Sequence, residues 1–299
     1  MATKAKTTSR AKSTKTPRPA AAKAVRTTKK SVEKTTIVAA VRPTEKPTTY
    51  SLTNDINGAE VMGEMLGTFL LVAIVSATGG NAFLVGFALI VIVAMMFNIS
   101  GAHVNPAVSF GFWVMRKISA AKMFFYWMAQ FVGAIAAILA VSAFSGNKVN
   151  LSLASLTQWN WFVVFAELLG ATIFMFGVAA AVSRSRSDVE RGLGIGLALF
   201  LALLVSGGLL QQQVTTASAQ AQKDTNAKES PRITKLNGTT LNPAVALSLT
   251  ENDNSNSMVS DATKTVSASR LTFETIVGTL VGAAIGGRLY LLLTRNNKV

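Results

Sequence analysis

Ser100-Gly101-Ala102-His103-Val104-Asn105-Pro106-Ala107-Val108 and Leu241-Asn242-Pro243-Ala244-Val245 carry the same four residues, Asn-Pro-Ala-Val, at two places in one chain. Proline at the first helical position gives up no hydrogen bond, and asparagine is a strong N-cap. Each copy therefore predicts the start of a short helix, one at Asn105 and one at Asn242. A helix of roughly eight to ten residues is only about 12–15 Å long. It cannot cross a hydrocarbon core of about 30 Å.

The surroundings of the two copies are apolar enough to be such a core. Six stretches stand out: 61–78, 82–99, 123–144, 159–182, 192–210 and 273–293. Helices of these lengths reach roughly 27–36 Å, enough to span a bilayer. Several are interrupted by Gly and Ala, as is common where helices pack closely in lipid. The spacing predicts an all-α membrane protein with six transmembrane helices and two re-entrant half-helices.

The chain also repeats itself. Glu64-Met65-Leu66-Gly67 opens the first span and Glu167-Leu168-Leu169-Gly170 opens the fourth. Each half continues with a Gly-rich span, at Gly86 and at Gly196, and then reaches its Asn-Pro-Ala. The two repeats cover about 58–144 and 159–293. Three spans per copy is an odd number, so the halves lie in the membrane with opposite orientation. One short helix then enters from each side and their N-termini meet near the midplane. Irregular backbone at that depth is tolerated only where protein covers it or it lines a water-filled path. Asn105 and Asn242 are thus either simple caps or caps that also offer amide donors to a passing solute.

Charge and composition exclude other classes. Half of the residues are hydrophobic and 14% are charged, too apolar for an ordinary soluble domain. There is no cysteine and His103 is the single histidine, so no thiolate or histidine-rich metal site and no catalytic residue is expected. No cofactor is implied. Much of the formal charge of +15 sits in residues 1–50, which carry thirteen Lys/Arg against Glu33 and Glu45. That segment has almost no large apolar side chains and is expected to be a disordered basic tail. Its readings are attraction to anionic lipid headgroups, sequence-independent contact with nucleic acid, or a regulatory role. The basic residues between spans put both termini on the cytoplasmic side, leaving residues 211–241 as an external, flexible insert.

The stretch 100–108, together with Thr239-Thr240-Leu241-Asn242-Pro243-Ala244, Tyr126-Trp127, Gln130 and Gly133, resembles the aquaporin and aquaglyceroporin (major intrinsic protein) family. The likeness runs over about 58–295, apart from the insert. It implies a right-handed six-helix bundle in the plasma membrane, assembled as a homotetramer with one pore per subunit. It implies passive conduction of water or small neutral solutes such as glycerol. Asn105, Pro106, Ala107, Asn242, Pro243, Ala244 and His103 would line the pore. Glu64 and Glu167 would brace the re-entrant loops.

The likeness has one departure. The family usually has Arg directly after the second Asn-Pro-Ala, whereas this chain has Val245. Counting from the motifs places the remaining filter positions at Val85, Leu203 and Thr239. A Val/Leu/Thr/Val ring is expected to be wider and more apolar than a strict water filter, with fewer donors. Neither strict water selectivity nor proton exclusion follows from it. Other readings stay open: a coupled transporter, against which the scarcity of mid-membrane charge weighs, and a non-conducting membrane scaffold whose basic tail is the working part. Glu60 is expected to be solvated at a span end, and Glu274 and Arg288 to be interfacial.

Overall fold

The computed structural model describes residues 56–145, 152–223, 231–251 and 268–295. The basic segment 1–50, with the disorder expected of it, lies outside the described residues. Among those described there are eight α-helices: α1 (Gly58–Thr78), α2 (Ala82–Ser100), α3 (Pro106–Val114), α4 (Ala120–Ser145), α5 (Trp161–Arg184), α6 (Asp188–Lys223), α7 (Pro243–Ser248) and α8 (Phe273–Thr294). Six of them, α1, α2, α4, α5, α6 and α8, are long and apolar enough to cross a membrane.

Side-chain caps set most starting points. Asn57, Asn81, Asn105, Asn160 and Asn242 each accept a backbone N–H of the helix that follows. That satisfies donors which the first turn would otherwise leave orphaned. Thr272 does the same for α8. Gly79 and Gly101 end α1 and α2 in the left-handed conformation, at φ 60° and 85°.

Packing repeats as the sequence does. α1 packs on α2 and α4, and its counterpart α5 packs on α6 and α8. The half-helices cross over: α3 lies against α8, and α7 against α4. The seam between the halves is α2 against α6, closed by Gly86 and Gly196. A Cβ on Gly196 would stand 2.4 Å from the Gly86 carbonyl oxygen, so nothing larger than glycine fits without moving a helix. On the outside, α2 exposes Phe83, Phe87, Val91, Met95 and Ile99, one every four residues. An apolar stripe of that length on the outer face is what lipid contact requires.

Two expectations need correction. The insert is not a loop from 211 onward, because α6 runs to Lys223. Gln211–Lys223 contains no Gly or Pro, and Ala and Gln favour helix. The hydroxyls of Thr215, Thr216 and Ser218 return to carbonyls four residues back. Val214 is buried in a small cluster with Val163, Ala166, Leu210 and Leu236. At 36 residues, α6 is about 54 Å long and outruns the bilayer. The second half-helix is also shorter than expected: α7 has six residues, against nine in α3. The chain leaves it at Leu249 and turns into a bridge between Thr250 and Ser269.

Charged residues assigned to span ends are paired rather than solvated. Glu60 meets the buried Lys122 at 2.8 Å. Glu274 is fully buried and meets Arg232 at 2.7 Å, and Arg232 also holds Glu251 at 2.6 Å. Arg232 lies in a short 3-10 turn, Arg232–Lys235, so these pairs fasten the described end of the insert to the foot of α8.

Candidate functional site

The two asparagines do more than cap. Asn105 Oδ1 accepts the N–H of Ala107 at 2.8 Å, and Asn242 Oδ1 accepts that of Ala244 at 3.0 Å. The amide nitrogens point elsewhere. Asn105 Nδ2 donates to the Leu241 carbonyl at 2.9 Å, and Asn242 Nδ2 donates to the Val104 carbonyl at 3.0 Å. Leu241 and Val104 are the residues just before the asparagine of the opposite repeat. Each half thus fastens the loop of the other, and each amide keeps a second N–H for something else.

Val104 and Leu241 are bent to make this possible. Their φ angles are 43° and 53°, in a region that is an outlier for a β-branched valine. Strain of that kind persists only where the surroundings over-determine it. Here the two glutamates do so. Glu64 accepts the N–H of Val104 at 2.7 Å and of His103 at 2.8 Å. Glu167 accepts those of Leu241 and Thr240, both at 2.8 Å. Glu64 also accepts Ser100 Oγ and Gln130 Nε2, both at 2.7 Å, and Glu167 accepts Thr240 Oγ1 at 3.1 Å. Both carboxylates are fully buried and surrounded by donors, as a buried charge requires. Gln130 spends its second N–H on Ser109, and Tyr126 donates to the Ser100 carbonyl. Sequence reading marked Tyr126 and Gln130 without giving them these contacts.

Three cavities meet end to end around this centre. The middle one, about 40 Å³, is bordered by Asn105 and Asn242, by Leu71 and Val75 of α1, and by Phe174 and Val178 of α5. It shares His103, Gly101 and Phe112 with a vestibule of about 470 Å³ on the side of the helix ends Gly58 and Thr294. It shares Val75, Gly80, Thr239 and Leu249 with a vestibule of about 370 Å³ on the side of the insert. Shared lining residues place the three in series, with the smallest in the middle.

The sequence-derived positions can now be located. Val85, Leu203, Thr239 and Val245 all border the middle cavity, as do Asn105, Asn242 and His103. Pro106, Ala107, Pro243 and Ala244 do not. They are buried behind the asparagines, because capping aims the asparagine at the path and turns the next residues into the half-helix. The carbonyl of Pro106 is taken by Trp127 Nε1 at 2.8 Å. His103 stacks on Phe112, with centroids 4.6 Å apart, and its Nδ1 lies 3.0 Å from Ser109 Oγ. Thr239 Oγ1 lies 2.8 Å from Ser206 Oγ, and Ser206 donates its own proton to the Ala202 carbonyl. Thr239 must therefore be the donor of that pair, which leaves its oxygen only as an acceptor toward the path.

The family profile described as "Major intrinsic protein" matches residues 78–220. The chain is 33% identical over 168 residues to the "Glycerol uptake facilitator protein-like 6" of Lactiplantibacillus plantarum, covering 50% of this chain and 77% of that protein. It is 29% identical over 182 residues to "Aquaporin NIP2-2" of Zea mays, covering 55% of this chain and 62% of the maize protein. This chain thus spans about three-fifths of the maize relatives' length. The solved aquaglyceroporin from Plasmodium falciparum is similar at a TM-score of 0.49 and 18% identity, over 80% of this chain and 95% of that one. With a bacterial relative one-third identical over three-quarters of its length, and with both Asn-Pro-Ala asparagines bordering one cavity, this chain belongs to the major intrinsic protein, or aquaporin, family.

Proposed function

We propose that this protein is a passive membrane channel for water and small neutral solutes of glycerol size, and not an enzyme. The observation that supports this reading is the series of three adjoining cavities, the middle one bordered by both Asn105 and Asn242. Each asparagine has an amide N–H beyond the one it spends on the opposite loop, suited to a neutral oxygen passing in single file. The wall around them is largely aliphatic, with Val85, Leu203 and Val245 at the ring facing the insert vestibule. An aliphatic ring suits the carbon side of a polyol better than a strict water filter would. The working unit is a homotetramer with both termini cytoplasmic. Arg116 and Lys117 after α3, Arg184 and Arg186 at the end of α5 and just beyond it, and Arg191 in the first turn of α6 support that orientation.

Stopped-flow light scattering of liposomes tests the reading. Vesicles holding the purified full chain should shrink faster than empty ones in sucrose and re-swell faster in glycerol. Rates equal to those of empty vesicles in both solutes would exclude a channel. Flux that collapses with an ionophore would point to coupled transport instead.

A further inference from the structure

Arg270 stands just before α8, outside both motifs, and is buried to 3% exposure. Its guanidinium reaches back to the loop that leads into the second Asn-Pro-Ala. Nη1 donates to the Asn237 carbonyl at 2.9 Å and Nη2 to the Gly238 carbonyl at 2.7 Å. Thr239, the next residue, borders the middle cavity. Arg270 itself lines the insert-side vestibule beside Thr239, Val75, Gly80 and Leu249, the residues through which that vestibule opens into the middle cavity.

Glu167, Glu251 and Glu274 lie near enough to act on its charge electrostatically, but none of them pairs with it directly. Among the described residues no carboxylate forms an ion pair with Arg270, whereas the nearby Arg232 is held by both Glu251 and Glu274. A buried cation needs hydrogen bonds or water to be tolerated. Two backbone carbonyls and an open vestibule supply them here. The ring below is otherwise poor in donors: Val85, Leu203 and Val245 have none, and the Thr239 hydroxyl is spent on Ser206.

We infer that Arg270 is the fixed positive charge and hydrogen-bond donor of the insert-side mouth, taking from outside the motif the role left empty at Val245. It repels cations at the entrance to the narrow path and offers N–H groups to an entering hydroxyl. A guanidinium suits the place because it stays protonated and can hold two carbonyls while keeping further donors free. This assignment rests on the channel reading above.

The test uses the full chain in liposomes, with proton leak and water permeability measured on the same vesicles. In Arg270→Gln the ratio of proton leak to water permeability should rise on the order of tenfold, as expected for loss of one unit charge acting over about 3–4 Å through a water-filled mouth at a dielectric of about 80. Glycerol should pass faster, since a bulky side chain is gone from the mouth. A merely structural Arg270 would lower all fluxes together and leave the ratio unmoved. Arg270→His makes the charge adjustable within one preparation. Its leak, taken relative to the parent, should be low at pH 5.5, where imidazole is cationic, and higher at pH 8.0, where it is neutral. A folded, water-conducting Arg270→Gln with the parent's ratio overturns the assignment, and so does a pH-independent Arg270→His if the glutamine variant fails to fold. A parent that passes no water overturns the channel reading itself.

Discussion

Asn105 donates its side-chain amide to the carbonyl of Leu241, 136 residues further along the chain, at 2.9 Å. Asn242 returns the same bond to Val104. Capping uses the amide oxygens and the crossing uses the nitrogens, so the two tasks can be separated by mutation. Aspartate keeps the cap and loses the donor, placing its carboxylate against a carbonyl oxygen. Asn105→Asp and Asn242→Asp should each lower stability by about 1–3 kcal/mol, the cost of a buried hydrogen bond replaced by an unsatisfied contact. Each should also raise cation leak, because a negative charge replaces a donor at the narrow point. Melting in detergent and proton flux in liposomes are the measurements. Unchanged values for both variants would mean the crossing bonds carry little.

Glu64 and Glu167 look equivalent in sequence but are not equally exposed to substitution. Both oxygens of Glu64 accept from two donors each. In Glu64→Gln, either orientation of the amide sets an NH2 against two N–H or O–H groups. The expected loss is on the order of 3 kcal/mol. Glu167 takes both Thr240 donors on one oxygen and only Leu241 on the other. Glu167→Gln can turn its NH2 toward the single donor, for a loss of about 1–2 kcal/mol. The order of melting temperatures, parent above Glu167→Gln above Glu64→Gln, checks the bracing as described; the reverse order would contradict it.

Much of this was legible in the sequence, because hydrophobic length, capping residues and an internal repeat are local signals. The six spans and the two half-helices follow from such signals, whereas the bracing role of Glu64 and Glu167 was implied only by the family resemblance. The extension of α6 was hidden because Gln211–Lys223 is polar, and a polar helix and a polar loop share a composition. What distinguishes them is the burial of Val214 against Val163 and Leu210, a tertiary fact. The contacts of Arg270 were equally hidden, since nothing in its neighbourhood resembles a motif and its partners lie 32 and 33 residues away. Counting from the motifs placed Val85 and Leu203 on the cavity wall, whereas the resemblance assigned the prolines and alanines beside the asparagines to the path as well. Motif membership does not reveal which way a side chain turns.

Close helix contact gives a further prediction with an internal control. A Cβ on Gly133 would lie 2.2 Å from the Met65 carbonyl oxygen, where neither backbone can yield without parting α1 from α4. Gly133→Ala should therefore destabilise by about 1–3 kcal/mol through overpacking. Gly208, inside α6, has nothing within 4 Å of the corresponding point. Gly208→Ala should be neutral or stabilise by up to about 1 kcal/mol, through helix propensity alone. Melting curves of the two variants beside the parent decide it, and equal losses would mean that the helix contacts do not control stability.

Val245 allows the filter ring to be tested directly. It borders the middle cavity from the third residue of α7, while Arg270 lines the adjoining vestibule. Val245→Arg adds a long side chain to the narrow part of the path and a second cation near the first. Val85 and Leu203 are not aromatic, so the ring has room for it, and the new charge faces a wet path rather than lipid. The variant should fold, with some loss of stability from repulsion between the two guanidinium groups. Its glycerol flux should drop further than its water flux, because the smaller molecule needs less clearance. Combined with Arg270→Gln, the loss of stability should be smaller than the two single losses added, since one cation then occupies the mouth instead of two, while the narrowed ring is kept. The measurement is the water-to-glycerol permeability ratio of parent, single and double variants in matched liposomes. A ratio that stays at the parent's value in a folded Val245→Arg would move the narrowest point away from this ring, and the insert-side vestibule held by Arg270 would be the next place to look.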